Sequence, residues 1–131
     1  MLTLRNVSAA AFFLFGTTFL WLTASFTGRT PAPTGVLWSA VNVAAIAVIV
    51  GFSVAAWGIF KATPWWEPVA AVTALIGLVS IAPYVVAIDD IGGLADQGVE
   101  MNIAIHLLGS LAVLTVALVP VVHDWFVHRL A

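Results

Sequence analysis

The sequence predicts an all-α integral membrane protein: a four-helix bundle of up-down-up-down topology, one transmembrane domain over residues 1–131. Three observations predict it. Hydrophobic residues make up 63% of the 131 and charged residues only 8%, where soluble domains carry roughly 25% charged residues, so there is too little polar surface to cover a compact core in water. Four apolar stretches, charge-free except for Glu67 at the edge of the third, divide the chain, each near the about 20 helical residues that cross a hydrocarbon core of ~30 Å. None alternates polar with apolar residues, as the strands of a membrane barrel do.

The first span covers 8–26, between Arg5 and Arg29. Its apolar run is longer than the about 7–15 residues of a signal-peptide core, and no clean A-x-A site follows Thr23-Ala24-Ser25, so it reads as a retained helix. The second covers 35–60 and stops at Lys61, and the third covers 65–88, against Asp89 and Asp90. Pro64 and Pro68 bracket the start of the third, where a fixed φ is compatible with a first helical turn. The fourth covers 101–122 and is followed by His123, Asp124, His128 and Arg129. The connections, 27–34, 61–64 and 89–100, are short, which makes sequential helices antiparallel neighbours.

An even number of spans puts both termini on one side. That side holds Arg5, Lys61 and Arg129, and the other holds only Arg29. The excess of Lys and Arg places both termini in the cytoplasm of a multi-pass plasma-membrane protein. Asp89, Asp90, Asp96 and Glu100 then lie in an outer acidic loop. Trp38, Trp57, Trp65, Trp66 and Trp125 fall near span ends, where tryptophan anchors helices at the interface.

Each span carries a face of small or hydroxylated residues: Thr17 and Ser25; Ser39, Asn42 and Ser53; Thr73, Gly77, Ser80 and Tyr84; Asn102, His106, Gly109 and Ser110. Such faces let membrane helices approach closely and bond to one another. His106 stands out, because an ionisable group inside a span is costly unless it is paired. Asn42, Tyr84 and His106 are expected at similar depth in the outer half, which makes them one candidate ligand-binding cluster. His106 and Tyr84 are its candidate catalytic groups. The competing reading is a neutral structural histidine bonded to Tyr84, Asn42 or a carbonyl.

Other chemistry is poorly supported. There is no cysteine, hence no thiolate site. A bis-histidine haem needs two histidines inside the spans, and only His106 qualifies. A zinc or di-iron centre needs several inward His and carboxylates, whereas Glu67, Asp89, Asp90 and Glu100 all lie at span ends. No cofactor and no metal site are expected, and the carboxylates of the acidic loop read as a solvated loop in preference to a weak divalent-cation site. A net charge of −2 without a basic run argues against nucleic acid as a partner.

Ser80-Ile81-Ala82-Pro83 late in the third span, His106 early in the fourth and Val119-Pro120 near its end resemble small four-span membrane-protein families of actinobacteria classed as domains of unknown function. The likeness covers most of the chain. It implies the four-helix architecture and a bacterial plasma membrane, and it brings no activity with it. The size is also similar to that of the DoxX-like proteins, without a distinctive shared motif.

Two functional classes follow from these readings. The first is a non-enzymatic homo-oligomer or an accessory subunit of a larger membrane complex, with the lipid bilayer as its surroundings. The second is a small transporter or intramembrane enzyme acting on a lipophilic molecule, with His106 exchanging protons near neutral pH.

Overall fold

The computed structural model describes residues 2–131, which contain five α-helices and no β-strand. Helix α1 spans Leu4–Thr18, and its cap Thr3 accepts the Asn6 N–H on its hydroxyl at 3.2 Å. The chain then tightens into two 3₁₀ turns, Phe19–Leu22 and Ala24–Phe26. The unbroken helix expected over 8–26 is therefore interrupted. Threonine explains the break: Thr17, Thr18, Thr23 and Thr27 each donate a hydroxyl to the carbonyl three residues back, at 2.6–2.8 Å. Such back-bonding competes with the helical ladder and bends it.

Helices α2, Val36–Phe60, and α3, Trp66–Asp90, match the expected second and third spans closely. Helix α4 spans Val99–Leu118 and α5 spans Pro120–Leu130. The single helix expected over 101–122 is thus two, and the count of α-helices is five rather than four. Pro120 is the reason. It has no N–H to donate, and its ring would meet the carbonyl four residues back. The residue before a proline is pushed out of the helical region, and Val119 sits at φ −85° and ψ 112°. Pro120 then starts α5 at its first turn, where a missing N–H costs nothing.

Three helices, α2, α3 and α4, are long and apolar enough to cross a membrane, with mean hydropathies of 2.4, 2.2 and 2.0. At 15 residues, α1 by itself is too short.

Residue pairings give the register. Phe15 packs on Phe52 while Ala24 bonds Asn42, so α1 and α2 run in opposite directions. Trp66 lies against Gly58 and Tyr84 against Trp38, which makes α2 and α3 antiparallel as well. Gly77 faces Ser110 and Tyr84 bonds Asn102, reversing α4 against α3. The centre of the core is aromatic, with Phe12, Phe15 and Phe19 of the first segment around Phe52 at 5.3–6.3 Å between rings.

Small residues admit those rings. A β-carbon on Gly77 would lie 2.8 Å from the Phe19 ring, and one on Gly109 would collide with Phe15. Leu75 and Val79 point outward. At one end of the molecule the 61–64 turn, the start of α1 and the whole of α5 come together, with the Arg5 Nε donating to the Leu130 carbonyl at 3.1 Å. At the other end Arg29 and Asp96 form an exposed ion pair of 3.1 Å between the two longer loops.

Candidate functional site

The interrupted first segment is what organises the polar residues. Leaving the helical ladder strands backbone groups, and a stranded N–H or C=O away from water costs about 1–3 kcal/mol. Two asparagines from other helices meet them. Asn42 of α2 accepts the Ala24 N–H on Oδ1 at 3.0 Å, and Asn102 of α4 donates Nδ2 to the Trp21 carbonyl at 2.9 Å. Asn42 is thereby committed to backbone and does not join Tyr84 and His106.

His106 is fully buried. Its Nδ1 lies 2.6 Å from the Asn102 carbonyl one turn earlier. A carbonyl only accepts, so Nδ1 carries the hydrogen and the neutral ring offers Nε2 as an acceptor. That nitrogen lies 3.1 Å from the Thr18 hydroxyl, which also reaches the Phe15 carbonyl at 2.6 Å. The hydroxyl has one hydrogen and two acceptors in range. Around the ring stand Phe19 at 4.6 Å, edge to face, and Phe15 and Trp21 at 6.3 Å. Among the described residues no carboxylate bonds to it. His106 is a pin between α4 and the end of α1.

Tyr84 is buried, with its ring edge to face on Trp38. Its Oη accepts the second Nδ2 hydrogen of Asn102 at 3.2 Å. Asn102 therefore links the two expected residues without their touching, bonding Tyr84 by its side chain and His106 by its carbonyl. A cavity of about 270 Å³ opens beside Tyr84 and Asn102, bounded by Trp21, Phe26, Ile88, Val99, Met101 and Ile105 together with the 96–98 loop.

Sequence reasoning placed Asn102 on the polar face of its helix without giving it a role, and passed over Thr18. The doublet Thr17-Thr18 at the end of an apolar run was the available sign, since adjacent back-bonding hydroxyls mark a place where a helix yields.

A second polar group sits at the opposite end. His123 of α5 places Nδ1 at 3.3 Å from Asp124 Oδ1 and Nε2 at 3.0 Å from Glu67 Oε2. The hydrogen bond to Asp124 first, and then the Glu67 carboxylate, hold the His123 pKa above the ordinary 6.5. Among the described residues no three His, Asp or Glu side chains converge to hold a metal ion.

Fold and site together define a helical protein with three helices fit to cross a membrane and a polar network built around a broken first segment. No known protein family, no curated protein and no solved structure matches the chain.

Proposed function

We propose that the protein is a multi-pass plasma-membrane protein of bacterial type that crosses the bilayer four times, both termini cytoplasmic. In this reading it works without catalysis, as a homo-oligomer or as an accessory subunit of a larger membrane complex. The fourth crossing is the broken first segment. Helix α1 is about 22 Å long, and the turn 19–22 adds about 8 Å at the steeper rise of a 3₁₀ helix, which together match a core of ~30 Å. Irregular backbone at that depth is tolerated where protein groups satisfy it, as Asn42 and Asn102 do here.

The observation that carries the non-catalytic reading is the use made of the buried polar atoms. His106, Asn42 and Asn102 bond chiefly to backbone and to Thr18, so no acid and base are left facing one another. Helix α4 supports a partner: 11% of its apolar window is buried, against 39% and 44% for α2 and α3. Met101, Ala104, Leu108, Leu111 and Ala112 lie on its exposed face.

Native mass spectrometry from nanodiscs tests this. A defined oligomer or a stoichiometric partner is expected, and Ala104→Trp with Ala112→Trp should dissociate it while the protein still melts cooperatively. A chain that is strictly monomeric and partner-free in its native membrane overturns the reading.

One observation favours a second reading, a protein that binds a lipophilic molecule. It is the cavity beside Tyr84 and Asn102, and it shifts the ligand-facing role away from His106.

A further inference from the structure

Helices α1 and α2 leave between them, on one flank of the molecule, a groove of about 460 Å³ lined by these two helices alone. Asn6, Ala9, Ala10 and Phe13 form one side, at helical offsets of three, four and seven. Ser53, Ala56, Trp57 and Phe60 repeat those offsets on the other, so each set occupies one face of its helix. The floor is alanine, and the Ser53 hydroxyl is turned back onto the Ile49 carbonyl at 2.7 Å, which leaves the groove no hydrogen from it. Phe13, Trp57 and Phe60 stand about half exposed as the walls. Seven residues of helix make the groove about 10 Å long.

Its free polar groups sit at one end only, the end shared by the termini and the 61–64 turn. Asn6 lies in the first turn of α1, and its side-chain amide bonds nothing among the described residues. Trp57 and Phe60 stack at 5.8 Å, and the Lys61 ammonium lies over Trp57, 4.8 Å from the ring centre. A ring face attracts the ammonium without taking up its hydrogens. Lys61 forms no ion pair among the described residues, and neither do Arg5 and Arg129. The two carboxylates of this end, Glu67 and Asp124, both lie against His123 instead. An apolar slot that ends at a free amide and an unpaired cation complements an acyl chain that ends in ester carbonyls and a phosphate.

We infer that this groove holds one acyl chain of an anionic phospholipid, with Asn6 Nδ2 donating to an ester carbonyl and Lys61 facing the headgroup phosphate. The inference rests on the reading that α1 and α2 cross a bilayer, and adds to it a bound lipid class and its seat. A zwitterionic headgroup brings a cation of its own beside Lys61, and phosphatidylglycerol does not, so charge sets the preference.

Native mass spectrometry of the full-length protein, released from nanodiscs of equal dioleoyl phosphatidylglycerol and dioleoyl phosphatidylcholine, tests it. One retained phospholipid per chain is expected, with phosphatidylglycerol favoured about fivefold, the effect of one cation at a membrane surface. Lys61→Gln should bring the ratio of the two lipids near one. Ala10 is exposed, so Ala10→Trp should melt like the wild type, yet fill the groove and lose the retained lipid. Arg29→Gln, at the opposite end, should change neither the ratio nor the retention. Equal retention of both lipids by the wild type, a preference that survives Lys61→Gln, or a lipid that survives Ala10→Trp overturns the inference and leaves the bilayer reading standing. A dimer that Ala10→Trp dissociates, with no lipid on the wild type, makes the groove an interface between copies and overturns it equally. A chain that does not enter nanodiscs overturns both the inference and the reading beneath it.

Discussion

His106 shows how a helix apolar enough to cross a membrane accommodates a buried histidine with no charged partner bonded to it among the described residues. One ring nitrogen is held by the carbonyl of its own helix, the other by a threonine hydroxyl, and the ring faces are covered by phenylalanine. An amide can reproduce part of this bonding and a leucine none of it. His106→Gln should keep the fold and function, with a small loss of melting temperature. His106→Leu should lose both side-chain bonds, to the Asn102 carbonyl and with the Thr18 hydroxyl, at about 1–3 kcal/mol in all. Thermal melting of both variants in one detergent decides the matter. If Gln abolishes a cellular phenotype as completely as Leu while the protein still folds, the residue titrates in its function and the pinning role is incomplete.

Among the elements, α5 is the one whose attachment should respond to pH. It is held by Phe126 against Trp66, by Arg5 on the Leu130 carbonyl and by His123 between Asp124 and Glu67. The pKa of His123 is raised on folding, so its contribution is fully present below pH 6.5 and fades as pH climbs through the raised value. Both partners are partly exposed, which limits the effect to about 1 kcal/mol or less. The melting temperature of the wild type minus that of His123→Gln should be positive at about pH 6 and fall toward zero by about pH 9. A difference that grows with pH would show that the charged ring does not hold the helix.

The same element shows what a sequence yields locally. Pro120 ends α4 through its own ring and its missing N–H, so the break was written in a single residue, yet it lies inside an apolar run that reads as one span. The first segment is harder. Its threonines weaken the helix, but whether a 3₁₀ stretch persists depends on Asn42 and Asn102 arriving from helices 18 and 81 residues away.

For the whole molecule, the shared end of the termini and the 61–64 turn follows from the antiparallel register, and the proposal that this end is cytoplasmic rests on Arg5, Lys61 and Arg129. A cysteine at Asp96 should react with an impermeant maleimide in intact cells, and one at Thr63 only after lysis. The reverse pattern would invert the orientation.

The sequence by itself determined the helical class, the positions of α2 and α3, and the ends at which charge collects. Those depend on runs of apolar residues and on single prolines and charges, whose effects are local and nearly additive. Only the tertiary structure decided which polar atoms meet. Each residue turns a helix by about 100°, so residues at one depth, such as Asn42, Tyr84 and His106, need not face one another. The packing of Phe15 and Phe19 into the spaces left by Gly77 and Gly109 sets those rotations. It directs Asn42 to Ala24, His106 to Thr18, and Asn102 to Tyr84.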